Sequence, residues 1–200
     1  MQESTTESTD TILDLIRSRW SPKVYSNRSV ERGQLRTVFE AARWAASSMN
    51  EQPWSFLVAT KDEQEKFERM ANCLSEGNAV WARHAPVLIL SIAKSRFDYK
   101  NRENSHAWHD AGLATQNLII QATAAGLFVH SMAGFSASRA VELFEIPDGY
   151  EPIAMHTLGY IGDPSNTPEE IVDGDPAKRK RHPLEDFVFT GKWGTPSDLI

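Results

Sequence analysis

Three short polar stretches of this chain carry the side chains that could take part in chemistry. Residues 19–23, RWSPK, put two cations and a hydroxyl close together at a predicted helix end. Residues 47–54, SSMNEQPW, supply small donors and acceptors that could hold a planar heteroaromatic ligand. Residues 178–182, KRKRH, form a dense basic block in a chain whose formal net charge is -6. Because arginine makes bidentate contacts with phosphate, this block indicates an anion site.

Each stretch also has a plainer interpretation, which the residues alone leave open. The cations of residues 19–23 could complement the C-terminal end of a helix. Residues 47–54 could form a capped turn with Trp54 in the core. The basic block could be a solvated surface run. Taken together, the three stretches offer cations near both ends of the chain, including partners for a phosphate, and a polar loop that could hold a planar ligand.

The familiar catalytic and cofactor motifs do not occur in the sequence. It contains no G-x-G-x-x-G or G-x-x-x-x-G-K-[ST] phosphate loop, no G-x-S-x-G elbow and no H-E-x-x-H zinc motif. His106 and His109, with Asp110 beside them, are interpreted as polar positions at a helix start rather than as metal ligands. The single cysteine, Cys73, is expected to be a structural thiol. An enzyme without a candidate nucleophile or general base would need a cofactor for its chemistry.

Length and composition are those of one ordinary folded domain. The chain has 200 residues, of which 40% are hydrophobic and 24% are charged. A pI near 5.5 argues against broad nucleic-acid binding, and the longest apolar stretches are far shorter than the ~20 residues of a membrane helix. The N-terminal sequence MQESTTESTD lacks the basic and apolar regions of a signal peptide. We therefore expect a cytoplasmic protein that binds neither nucleic acid nor membrane.

Hydrophobic periodicity and turn residues predict long helices mixed with three or four strands. The predicted helices run from a cap at Thr9 or Asp10 to residue 20, and over residues 30–46, 61–74, 79–83, 106–125 and 136–144; the predicted strands cover residues 55–60, 87–93, 127–131 and 151–161. Because helices and strands do not alternate strictly, the predicted fold class is α+β. Residues 1–9 are expected to be disordered, residues 10–190 to form a single domain, and residues 191–200 to be a tail. The aperiodic residues 161–200 are typical of an arm lying on another surface, such as a partner subunit.

The motifs, in their order along the chain, resemble those of the FMN-dependent nitroreductase family. Residues 46–54, ASSMNEQPW, are the most specific match, and residues 19–25, RWSPKVY, resemble the family's N-terminal signature. The other similar segments are GL at residues 126–127 followed by AGF at 133–135, LGY at residues 158–160, and RKRHPL at residues 179–184. The resemblance spans roughly residues 10–190.

The resemblance implies an α+β homodimer with FMN at the subunit interface. Its central, mostly antiparallel sheet would be flanked by helices, and its C-terminal arm would extend onto the partner subunit. The residues implied to hold the flavin phosphate and ribityl chain are Arg19, Ser21, Arg179 and Arg181; Lys23 lies where the family places a cation near the pyrimidine edge. Ser47, Ser48 and Asn50 match a loop from the other subunit, and Ala133 and Gly134 match a turn whose N–H points towards flavin N5. Trp20 replaces a basic residue of the family, so we expect it to contribute through its backbone or by packing.

The activity implied by the resemblance is electron transfer through FMN. NADH or NADPH would reduce the flavin, and an organic acceptor such as a nitroaromatic or a quinone would reoxidise it, with ping-pong kinetics. No separate dinucleotide motif distinguishes NADH from NADPH. Two alternatives remain: a flavin-binding protein of this fold without reductase turnover, and a non-enzymatic interaction domain whose basic block binds acidic partners.

Overall fold

A four-stranded antiparallel sheet lies at the centre of the computed structural model, which describes residues 12–168, 171, 174 and 176–198. The strands are β1 (Trp54–Thr60), β2 (Val87–Lys94), β3 (Phe128–Met132) and β4 (Tyr150–Gly159), in the order β1-β2-β4-β3. β2 pairs with both β1 and β4 and is buried along nearly its whole length. All four predicted strands are confirmed, and so is the α+β class.

Helices cover both faces of the sheet. The α-helices of the described residues are α1 (Asp14–Ser18), α2 (Arg32–Arg43), α3 (Gln64–Ala71), α4 (Glu76–Ala82), α5 (Ala107–Ala124) and α6 (Ala137–Phe144), of which α2 to α6 contribute to the cores beside the sheet. On one face, Val38 of α2 and Leu118 of α5 share a core with Ile89 of β2. On the other face, Trp81 of α4 shares a core with Leu90 of β2, and α3 and α6 contribute to the same core. Successive β2 side chains therefore enter opposite layers, as the pleat of a strand requires.

Several helix ends differ from the prediction. α2 begins at Arg32 instead of residue 30, because the Glu31 side chain and Gln34 cap each other's backbone N–H groups. α3 is shorter than predicted and α4 begins earlier. The predicted stop of the long helix at Gly126 is confirmed. This residue follows α5 with φ +71°, a left-handed conformation that glycine adopts without strain.

The segments at both ends of the described chain are exposed. α1 has no buried residue, and its predicted cap at Thr9 or Asp10 lies outside the described residues. Residues 176–198 contain short 3-10 turns and one isolated bridge, so the predicted lack of periodic structure is confirmed for this part. The domain boundaries at residues 9 and 190 stay predictions. No helix within the described ranges is long and apolar enough to cross a bilayer.

Candidate active site

Arginines from distant parts of the chain meet beside the end of α1. The Arg179 guanidinium donates to the carbonyl of Arg17 (2.9 Å), to that of Pro176 (2.8 Å) and to that of Arg19. These bonds tie the C-terminal segment to the last turn of α1, where helix carbonyls lack intrahelical partners. Partial burial, followed by the positive charges of Arg179 and Arg181, lowers the pKa of the Arg19 guanidinium. A bound anion would relieve this repulsion.

Two cavities open on this arginine cluster (Arg19, Arg179 and Arg181). One, of about 310 Å³, is lined by Arg19, Trp20, Ser21, Gly174, Pro176, Arg179 and Arg181. The other, of about 500 Å³, shares the three arginines and adds the apolar side chains of Ile12 and Ile16. Arg19 Nη1 donates to Ser21 Oγ at 3.1 Å. Within the described part of the chain, none of the three guanidiniums forms an ion pair with a carboxylate. The cluster therefore keeps its positive charge and fits a phosphate group.

Residues of strand β3 contact the polar stretch of residues 19–23. The ring of Trp20 packs edge-on against Phe128, with centroids 6.3 Å apart. His130 donates its Nδ1–H to the Pro22 carbonyl at 3.0 Å. The packing role expected for Trp20 agrees with this contact. Lys23 lines a separate, smaller cavity of about 70 Å³.

The loop over residues 47–52, which joins α2 to β1, has an unusual backbone. Met49, Asn50 and Gln52 have φ values of 55°, 56° and 52°. Left-handed backbone is disfavoured for residues other than glycine, and asparagine tolerates it better than most. The Ser47 Oγ accepts the Gln52 N–H at 3.0 Å and closes the loop on itself. Ser47 therefore bonds within the loop, whereas Asn50 is exposed.

Two acidic side chains hold this loop to the rest of the protein. Asp110, 2% exposed in the first turn of α5, accepts the Ser48 N–H at Oδ2 with a distance of 2.8 Å. Its Oδ1 bonds to Nδ1 of His109 at 2.9 Å. At the other end of the loop, Glu51 Oε1 accepts the backbone N–H of Asp98 at 2.7 Å. The loop is thus fixed at both ends by carboxylates.

Sequence reasoning did not place Asp110 or Glu51 in the site. For Asp110, the available signal was the grouping of His106, His109 and Asp110 within residues 106–110, at the start of an otherwise apolar helix. The bond between His109 and Asp110 gives this run a role in holding the loop, in agreement with its interpretation as polar positions at a helix start.

The turn after β3 is shaped by packing within the chain. The Gly134 carbonyl accepts the Ser75 N–H at 3.0 Å and the Asn78 Nδ2 at 2.9 Å. A Cβ on Gly134 would lie 2.6 Å from Asn78 Nδ2 and 2.8 Å from Ser75 Oγ. A side chain at this position would therefore have to displace the side chains of Asn78 and Ser75. The neighbouring Ala133 is exposed, and the direction of an N–H from this turn towards a flavin stays a prediction.

One chain brings together only part of the predicted site. Arg19, Trp20, Ser21, Arg179 and Arg181 line one cavity. Ser47 and Ser48 line a different cavity, of about 250 Å³, with His106, His109 and Asp110. A single chain therefore presents a basic site and a polar loop at different places.

Known proteins resemble this chain in both sequence and fold. The sequence model described as the nitroreductase family matches residues 16–160. A solved structure described as an oxidoreductase containing FMN is 31% identical, has a TM-score of 0.85, and is aligned over 98% of this chain and 99% of that one. A Mycolicibacterium smegmatis protein named as a 15.4 kDa protein in the ask 5' region is 40% identical over 132 residues, which are 66% of this chain and 87% of that protein. An Archaeoglobus fulgidus protein provisionally named an NADH dehydrogenase/NAD(P)H nitroreductase is 26% identical over 157 residues, 76% of this chain and 86% of that protein. The match over most of its length, together with the shared fold, makes this chain a member of the nitroreductase family of oxidoreductases.

Proposed function

We propose that this protein is an FMN-dependent oxidoreductase that takes electrons from NADH or NADPH and delivers them to an organic acceptor such as a nitroaromatic or a quinone. When bound, FMN supplies the hydride chemistry of both half-reactions. The observation that carries the proposal is the arginine cluster, whose charge is not neutralised by any described carboxylate. The FMN in the description of the 31% identical solved relative supports the same cofactor. The name of the archaeal relative supports the same donor.

Arg19 and Arg181 are the guanidiniums best suited to the flavin phosphate. Arg179 uses each of its three nitrogens to donate to a backbone carbonyl. Its main task is therefore to hold the other two arginines side by side. The Ser21 hydroxyl, bonded to Arg19 at 3.1 Å, adds a polar group for the ribityl chain. Lys23 is assigned to the pyrimidine edge and the turn of residues 133–134 to the N5 edge on the family resemblance.

A second copy of the chain would complete the site. Large apolar side chains are exposed at both ends of the described chain: Leu13 is 70% exposed, Ile16 49%, Phe187 59% and Trp193 90%. An interface would remove this apolar surface from water. We therefore propose a homodimer in which the loop of residues 47–52 from one copy faces the arginine cluster of the other.

The test is a visible absorption spectrum of the purified protein, repeated after anaerobic addition of NADH and then of NADPH. A yellow protein that bleaches supports the proposal and identifies the preferred donor. A yellow protein that does not bleach would instead support a flavin-binding protein without turnover. A colourless protein that cannot be reconstituted with FMN would refute the assignment of the cofactor.

A pair of charge reversals tests the phosphate site itself. Arg181→Glu replaces a charge-assisted contact with repulsion, and one such hydrogen bond is worth roughly 1.5–3 kcal/mol, so we expect FMN to bind at least about tenfold more weakly. Lys180→Glu makes the same change of charge at the adjacent exposed residue, which does not line either cavity of the cluster. It should weaken binding much less. Equal retention of FMN by wild type and Arg181→Glu would overturn this assignment.

A further inference from the structure

The loop of residues 47–52 needs outside support to keep its shape. Three of its residues have positive φ values, and none of them is glycine. Such conformations persist where surrounding contacts determine them. The bonds inside the loop close it on itself, as in the contact between Gln52 N–H and Ser47 Oγ. Its orientation on the protein depends on the contacts at its two ends.

Asp110 makes the contact at the start of the loop, and it is well placed to do so. The carboxylate is 2% exposed and lies in the first turn of α5. The next turns of this helix bury Ala111 and Ala114 completely in the core. A hydrogen bond from an N–H to a carboxylate is shorter and stronger than one between neutral groups. The Ser48 N–H, with its nitrogen 2.8 Å from Oδ2, is thereby attached to a helix that packs in the core.

We propose that Asp110 is a positioning residue for the flavin site. Through the backbone N–H of Ser48, it holds the loop in the conformation in which Ser48 and Asn50 are offered to FMN bound at the arginine cluster of the second copy. Its Oδ1 bond with His109 fixes the orientation of the carboxylate. This inference rests on the proposed function, and Asp110 acts on the flavin through the loop.

Loss of the Asp110 carboxylate should weaken FMN binding by changing the population of loop conformations. Without it, the Ser48 N–H loses its buried acceptor and the loop relaxes towards commoner backbone conformations. When the binding-competent conformation is one of several, the apparent dissociation constant rises by the inverse of its population. A loss equivalent to one buried hydrogen bond corresponds to about tenfold weaker binding.

Three variants separate positioning from general stability. Asp110→Ala removes the acceptor. Asp110→Asn keeps an oxygen that can accept the Ser48 N–H. Thr115→Ala is the matched control, because it removes another buried side-chain hydrogen bond of α5, from Thr115 Oγ1 to the Ala111 carbonyl at 2.9 Å, away from the loop. For each variant we would measure FMN affinity by flavin fluorescence, and hydrogen exchange of residues 48–52 in the apoprotein.

The expected result is a loop-specific effect of Asp110→Ala. FMN affinity falls about tenfold or more, and the amides of residues 48–52 exchange faster. Asp110→Asn restores both properties to within a few-fold of wild type, and Thr115→Ala changes neither. If Asp110→Ala does not fold, His109→Ala decides the question. His109 is mostly exposed, and its loss removes the bond at Oδ1 that orients the carboxylate towards the Ser48 N–H, so faster loop exchange should follow.

Other results would overturn the proposal. These are unchanged loop exchange in Asp110→Ala, no rescue by Asp110→Asn, or the same effects in Thr115→Ala as in Asp110→Ala. If Asp110→Ala does not fold, unchanged hydrogen exchange of residues 48–52 in His109→Ala would also overturn the proposal. Failure of the proposed function looks different, because wild-type protein would then not bind FMN at all. The exchange measurement on the apoprotein still tests the role of Asp110 in that case.

Discussion

Lowering the pH should destabilise this protein through one buried imidazole, that of His156 on β4. The side chain is 2% exposed and lies between two hydroxyls on neighbouring strands. Ser91 donates its hydroxyl proton to the Ala154 carbonyl, so its oxygen accepts from His156 Nε2 at 2.9 Å. His156 Nδ1 then accepts from Ser131 Oγ, also at 2.9 Å. Both ring nitrogens are satisfied in the neutral form.

The size of the effect follows from the shifted pKa. Burial lowers the pKa of His156 from its ordinary value of 6.5 to about 4. The unfolded chain therefore binds a proton below pH 6.5, whereas the folded chain does so only near pH 4. As the pH is lowered from 6.5 to 4, the free energy of unfolding therefore decreases. The loss is about 2 kcal/mol by pH 5 and about 3 kcal/mol in total, because each unit of pKa shift corresponds to about 1.36 kcal/mol. Above pH 6.5 His156 contributes no pH dependence.

The assay is urea unfolding of wild type and His156→Gln at several pH values between 7 and 4. Carboxylates titrate in both proteins, so the difference between their pH profiles isolates His156. We expect wild type to lose about 2 kcal/mol more than the variant between pH 7 and pH 5. His84→Gln, which makes the same substitution at an exposed histidine, is the control for the change of side chain. Parallel profiles for wild type and His156→Gln would refute the reasoning.

Two further substitutions test contacts described above. Gly134→Ala should lower the free energy of unfolding by about 1–3 kcal/mol in urea unfolding, because the added Cβ would crowd Asn78. Gly33→Ala is the control and should not lower it, since a Cβ there would have no other atom within 4 Å. Equal effects of the two substitutions would contradict the packing argument. Arg179→Met should release the C-terminal segment from α1, so that chymotrypsin cleaves faster at Phe187 and Trp193 and FMN binds about tenfold more weakly. Lys180→Met is the control and should change neither the cleavage rate nor FMN binding. An unchanged cleavage rate in Arg179→Met would contradict the proposed anchoring role.

The sheet could be predicted because its signals are local. β2 is a continuous apolar run that ends near Lys94, which is typical of a strand covered on both faces. Gly126 marks the end of α5 through its own conformational freedom. The first residue of α2 was harder to predict. It is set by the reciprocal caps of Glu31 and Gln34, and the spacing of the apolar residues does not reveal it.

The site could be predicted only in part, because its contacts join residues far apart in sequence. The resemblance indicated Arg179 as a phosphate ligand, but no pattern indicates that its guanidinium bonds to carbonyls 160 and 162 residues away. In the same way, Ser48 and Asp110 lie 62 residues apart. Such pairs depend on tertiary packing, which a single sequence does not display.

The bonds from Arg179 to α1 also have a consequence for biosynthesis. The sheet and its covering helices use residues that leave the ribosome before residue 160, but the arginine cluster cannot form until residue 181 has emerged. A nascent chain could therefore fold its core while still unable to retain an anionic cofactor. Cofactor loading would follow folding of the core, and a chain cut short before residue 179 would lack two of the three arginines of the cluster.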